Sequence, residues 1–267
     1  MLAGSKVVKA TAKSTLKNNY SISLFCSTAL ITVCFLGIYI SYPLSIILGS
    51  LFSNLFTILF SIFISAPLFL GVVRFFWRLS FSADDSPIII FYYFSQKKLY
   101  LKTLKFIFNL FLKLLPSLIL LTIPPIAIYL ISNGKIFDIL KITPPLWSAN
   151  LNNVIVLITT LSIIIFLFIL FKYYLSLSLF IADDNIDSAE AIHMSTIISK
   201  KTALDFAYLV ISFLGWILIS FLVFPLIFLL PYMITAYCTH ARFAVAEYNK
   251  HIENISSNIF PTFHADF

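Results

Sequence analysis

Hydrophobic and polar positions in this chain alternate on the scale of whole helices. Apolar runs over 22–76, 104–131, 154–177 and 203–246 are separated by short polar connections. As one helix the first run would be roughly 80 Å long, against a hydrocarbon core of about 30 Å, so it must fold back. Ser41-Tyr42-Pro43 is the turn signal, because proline disfavours helix at the residue before it. That predicts spans over 22–40 and 47–73, with Pro67 as a kink and Arg74 and Arg78 at the end of the second. The last run would be about 65 Å as one helix and divides into spans over 204–222 and 225–245, broken near Val223-Phe224-Pro225.

Between these hairpins lie a third span over 104–131, interrupted by Pro116 and Pro124-Pro125, and a fourth over 154–177. The segment 132–150, with Asn133-Gly134 and Pro144-Pro145, is a loop. The connection 79–103 carries Ala83-Asp84-Asp85, Phe91-Tyr92-Tyr93-Phe94 and Lys97-Lys98, and reads as an interfacial segment. In the second connection Asp187 and Glu190 make a capping-box pair, and Ala191, Met194 and Ile198 fall at helical spacing before Lys200-Lys201. A short amphipathic helix at the membrane surface is the expectation. The fold class is therefore all-α: a polytopic transmembrane bundle of about six spans over 21–247, between a basic tail at 1–20 and a loosely ordered tail at 248–267.

Composition supports the pattern. Charged residues are 11% of the chain, hydrophobic residues 60%, and mean hydropathy is +1.00; a soluble domain carries about a quarter charged residues. The net charge of +7 sits beside apolar runs, where anionic lipid headgroups lie, and this excludes nucleic acid as the partner. Lys6, Lys9, Lys13 and Lys17 form one stripe if 5–18 is helical, and read as a solvated positive tail. With both termini cytoplasmic, 15 of the 18 basic residues are inside, Lys135 and Lys141 are outside, and Lys113 is intramembrane. Cys26, Cys34 and Cys238 lie in apolar runs and read as small apolar residues.

An internal echo links the two connections. Arg74-Phe75-Phe76 followed by Ala83-Asp84-Asp85 returns as Lys172-Tyr173-Tyr174 and Ala182-Asp183-Asp184, which reads as a weak parallel repeat. With Ser188-Ala189-Glu190-Ala191-Ile192, Ser195, Ile211-Ser212-Phe213-Leu214-Gly215-Trp216 and Pro231-Tyr232, these residues resemble the bacterial integral-membrane family known as domain of unknown function 975. Leu16-Lys17-Asn18-Asn19-Tyr20, Pro67-Leu68 and Gly71 resemble its first half, while Ile198-Ser199-Lys200-Lys201 and Phe221 to Phe224 depart from its pattern. The resemblance implies a multipass bacterial membrane protein and no catalytic residue.

Candidate polar positions follow from charge in an apolar setting. Asp183-Asp184, and Asp84-Asp85 before them, suit cation or partner binding, but aspartate also ends spans at headgroup level, and that structural role is preferred. Lys113 is an intramembrane charge that can either snorkel to the interface or pair with Asp205, at a similar expected depth. His240 and Arg242 near Glu247 suggest a proton relay, although a lone histidine at a helix end is more often interfacial. Arg74 completes the set. No metal-ligand spacing, phosphate loop or nucleophile elbow occurs, so no cofactor and no enzymatic activity are expected. The reading is a non-enzymatic partner-binding or membrane-organising component of the bacterial cytoplasmic membrane, whose partners are anionic lipid and a membrane or cytoplasmic protein. A permease for a small solute or lipid is the alternative.

Overall fold

The computed structural model describes residues 4–81, 86–132, 148–219 and 224–253. All its regular elements are helical: α1 (Ser5–Leu48), α2 (Ser50–Phe60), a π-helical turn (Ser61–Ser65), α3 (Ala66–Leu79), a 3₁₀ helix (Pro87–Phe94), α4 (Lys97–Ser132), α5 (Ser148–Tyr173), α6 (Ser176–Ala182), α7 (Ser188–Ile211), α8 (Leu214–Ile219) and α9 (Phe224–Glu253). Among the described residues four segments are long and apolar enough to cross a membrane: Ser5–Leu48, Ser50–Leu79, Lys97–Ile126 and Val156–Ala182.

The first hairpin turns later than its proline signal. Helix α1 runs through Pro43 and ends at Gly49, whose φ of 88° lies in the left-handed region that a side chain disfavours. A membrane helix tolerates an internal proline where neighbours satisfy the freed carbonyls, and the same tolerance carries α4 unbroken through Pro116, Pro124 and Pro125. The arms of the α1–α2 hairpin are tied by the Ser53 hydroxyl donating to the Ser41 carbonyl at 2.8 Å.

Pro67 acts through its missing N–H. Just before it the chain widens into the π-helical turn, with the Ala66 amide bonded to the Ser61 carbonyl. The Phe63 carbonyl, which an α-helix would pair with residue 67, instead accepts the Tyr100 hydroxyl of α4 at 3.0 Å. Tyr100→Phe is therefore expected to cost about 1 kcal/mol, and less in a Pro67→Ala background where a backbone donor returns. Thermal melting of the three variants in detergent checks this.

The basic segment at 5–18 is a docked helix rather than a solvated tail. Val8, Ala12 and Leu16 recur every four residues and are buried, the first two against Leu209, Phe213, Leu229 and Ala236. Lys6, Lys13 and Lys17 stay exposed on the remaining face. Asn19 (φ −118°, ψ 24°) breaks the helical geometry between this segment and the span that follows.

The larger core gathers α3, the 3₁₀ helix, α6, the first half of α7 and the second half of α9 around Phe75, Phe76, Phe106, Leu175, Leu179 and Phe180. Gly71 lets α3 lie directly on the 3₁₀ helix, since a Cβ there would stand 1.9 Å from the Ile90 carbonyl oxygen. Away from this core α4 and α5 pair with each other, and only 11% and 6% of their most apolar windows are buried. Their remaining surface has the composition of one made for lipid.

Helix α7 is continuous through Lys200-Lys201. The apolar face expected on the membrane surface is instead covered by protein: Ala191, Ile192, Ser195, Ile198 and Ser199 are buried. Two of these serines serve the end of α5, whose Lys172 carbonyl accepts Ser199 Oγ at 2.9 Å and Ser195 Oγ at 3.3 Å. Helix α7 ends at Ile211, earlier than the expected span end, and α9 begins at Phe224 with Pro225 in its first turn. It then continues to Glu253, beyond the expected limit. The loop 133–147, the break at 220–223 and the tail from 254 lie outside the described residues.

Candidate functional site

Arg74 lies in the last turns of α3, 8% exposed and surrounded by the larger core. A guanidinium there needs a counter-ion, and the turn after α6 supplies Asp184. The pair is bidentate, Nη1 to Oδ1 at 2.7 Å and Nη2 to Oδ2 at 3.0 Å, the fork geometry that suits arginine and carboxylate. Tyr92 of the 3₁₀ helix completes the arrangement: its hydroxyl donates to Asp184 Oδ2 at 2.7 Å, and its ring lies 3.8 Å from the Arg74 guanidinium carbon. Three separate segments thus converge on one carboxylate.

A seam continues from this centre along the start of α4. Lys102 donates to the Asp184 backbone carbonyl and lies over the Phe180 ring, Lys105 pairs with Asp187 at 3.0 Å, and Asn109 Nδ2 donates to Ser188 Oγ at 2.7 Å. Residues 102, 105 and 109 follow helical spacing, so a single face of α4 reads the whole connection between α6 and α7. Asp183 serves the turn itself: Oδ1 accepts the Asn185 amide at 2.8 Å. Sequence reading had singled out Arg74, Asp183 and Asp184 but missed Tyr92, Lys102, Lys105, Asn109 and Asp187 as members. Polar residues at 102, 105 and 109, facing acids at 184 and 187, were the available signal.

Burial pushes the Asp184 carboxyl upward, but hydrogen bonds from Arg74 and Tyr92 and the Arg74 charge outweigh it, so its pKa is held below the usual carboxylate value. Asp187 is also lowered, chiefly by the hydrogen bond from Lys105. Carboxylates with depressed folded pKa values contribute stability that is present above about pH 4 and lost as pH falls through the folded values. Melting temperature in detergent is therefore expected to drop on acidification from about pH 7 to about pH 3, with a shallower drop for Asp184→Asn.

The remaining candidates separate. Lys113 and Asp205 are both exposed and form no ion pair with each other. Their expected equal depth fails because α4 and α7 meet at Asn109 and Ser188: Lys113 lies about one turn beyond that contact, whereas Asp205 lies roughly 25 Å along α7. Asp84 and Asp85 lie outside the described residues.

His240 is 1% exposed, at the centre of a second polar cluster. Its Nδ1 lies 3.4 Å from the Tyr174 hydroxyl, which donates to Thr202 Oγ1 at 2.8 Å. Tyr237 donates to the Tyr174 carbonyl at 2.6 Å and accepts Ser178 Oγ at 3.0 Å. Phe206 stacks on Tyr174 at 4.1 Å between ring centroids and closes the cluster. Arg242 turns away from His240, donating to the Ser80 carbonyl at the end of α3 and lying over Phe81. The two basic residues thus serve different neighbours, and Arg242 satisfies a helix C-terminus.

Among the described residues no three or more His, Cys, Asp or Glu side chains come together as a metal site. The chemistry of the assembled groups is that of a latch, with charges neutralised in place across three segments. The class these features define is an all-helical membrane protein with an ion-paired seam between its helices. No protein-family model, no curated protein and no solved structure matches the chain.

Proposed function

We propose that this chain is a multipass protein of the bacterial cytoplasmic membrane that works without catalysis, binding a protein partner or organising the membrane through its cytoplasmic connections. Six spans, both termini inside and a parallel repeat belong to this reading, supported by the basic-residue bias and the echo of Arg74 to Asp85 in Lys172 to Asp184. The resemblance to domain of unknown function 975 supports the same class. The first turns of α7 form the amphipathic element of the second connection.

One observation carries the partner-binding reading. The 3₁₀ helix is anchored by buried Ile90 and Tyr93 and latched through Tyr92, yet it presents Ile88 (74% exposed), Phe91 (53%) and Phe94 (38%) outward. Fixing an apolar ridge rigidly at the end of a polar connection lowers the ordering cost of docking. A photocrosslinker at Phe91 in native membranes tests the reading. A reproducible protein adduct that is lost in Ile88→Asp supports a protein partner, and adducts to lipid alone count against one.

The permease alternative draws on the π-helical turn before Pro67 and the interruption between α7 and α8, features suited to broken helices around a path. Flux in proteoliposomes across ions, peptides and lipids tests it, and silence across all three argues against it.

A further inference from the structure

A groove of about 1250 Å³ opens between the start of α1, the start of α8 and the first half of α9. Its size exceeds the roughly 300–1,000 Å³ of pockets that hold drug-sized ligands. Its composition is divided. Leu16, Trp216, Leu229 and Tyr232 give it apolar walls, whereas Lys9, Lys13 and Lys17, one turn apart along α1, give it a cationic rim. No carboxylate lines it among the described residues.

The three lysines differ in what they are free to do. Lys9 is committed within the chain: Nζ donates to the Ser212 carbonyl at 2.9 Å and lies 4.2 Å from the Phe213 ring centroid, holding the interruption between α7 and α8. Lys13 and Lys17 are exposed and have no acidic partner among the described residues. They stand just before the apolar run that begins at Ile22, at the depth where a lipid phosphate lies if that run spans the bilayer. A soluble anion would leave the apolar walls wet, and a neutral lipid would leave two cations unanswered. An amphiphile with a negative head and long chains satisfies both parts.

We infer that this groove binds an anionic phospholipid, its phosphate held by Lys13 and Lys17 and an acyl chain lying over Leu16, Trp216 and Leu229. The inference requires that the chain lie in a bilayer and is independent of any protein partner. It differs from general attraction of a basic segment to an acidic membrane, which draws on every lysine near the surface alike.

That difference supplies the test. The full chain is purified in mild detergent from membranes containing phosphatidylglycerol, and retained lipid is quantified by mass spectrometry. Lys13→Gln with Lys17→Gln is expected to lower retained phosphatidylglycerol about tenfold, and Trp216→Ala to lower it several-fold. Lys97→Gln with Lys98→Gln, two exposed lysines of α4, is expected to leave it unchanged. After the retained lipid has been stripped with detergent, melting temperature is expected to be the same in the natural chain and both double variants, because all four side chains are exposed. Adding phosphatidylglycerol, but not phosphatidylcholine, raises it for the natural chain and for the Lys97/Lys98 variant only. Equal loss of lipid in the two double variants, or no loss in the first, overturns the inference. A chain ending at Glu253 is expected to retain the same lipid; a many-fold gain would identify residues 254–267 as the groove's occupant and overturn it as well.

Discussion

Asp184→Ala is expected to cost about 3 kcal/mol or more of stability, and Arg74→Met only about 1–2 kcal/mol, although the two changes break the same ion pair. The asymmetry follows from exposure, which is 10% for the Arg74 side chain and 41% for Asp184. Removing the aspartate leaves a guanidinium in the core with the Ile181 carbonyl and the rings of Tyr92 and Tyr93 but no counter-ion to replace Asp184 among the described residues. Removing the arginine leaves a carboxylate that water reaches, and methionine keeps the stem that packs against α6. The double variant is expected to be less damaging than the sum of its parts, because deleting Arg74 relieves the unanswered charge that Asp184→Ala creates. Arg74→Lys should rescue little, since an ammonium cannot reproduce the fork. Unfolding in mixed micelles measures all four variants. Equal losses from the two single changes, or strict additivity, would show that the pair is not the latch described here.

Gly71→Ala adds a single methyl group yet is expected to cost about 3 kcal/mol, near the top of the usual range for overpacking. The new Cβ would stand 1.9 Å from the Ile90 carbonyl oxygen and 2.7 Å from its carbonyl carbon. Both are backbone atoms of the 3₁₀ helix, so no side chain can swing aside. The helix must lift off α3, carrying Tyr92 away from Arg74 and Asp184. Loss of stability should therefore come with loss of the Asp184 contribution to the pH profile, so that Gly71→Ala and Asp184→Asn resemble one another below about pH 5. A Gly71→Ala protein as stable as the natural one, with an unchanged profile, would refute the close approach.

Helices and their apolar extent were legible because length arithmetic against a bilayer leaves few choices. Boundaries were less so, for reasons visible in particular residues. Pro43 looked like a turn because its local penalty is large in water, but the turn went to Gly49, where a positive φ must be adopted. The 5–18 segment looked like a tail because four lysines dominate its composition. The apolar positions that dock it, Val8 and Ala12, are few among polar neighbours and count only once α9 offers a surface. Within the candidate site, Arg74 and Asp184 were found separately through charge in apolar surroundings. That they meet was not readable, since the pairing spans 110 positions and depends on how α3 packs against α6. Lys113 and Asp205 failed for the same reason in reverse: equal depth was inferred from span limits, whereas the contact of Asn109 with Ser188 sets a different stagger.

The docking of the first helix on the last has a consequence for synthesis. Val8 and Ala12 bury against Leu229 and Ala236, so their partners are made more than 200 residues after them. At about 5–20 residues per second, Val8 waits roughly 10–45 s for Ala236 to be made. Until Leu209 and Phe213 are made, the apolar stripe of α1 needs lipid or a chaperone to lie against, and its docking surface is complete only once α9 has followed.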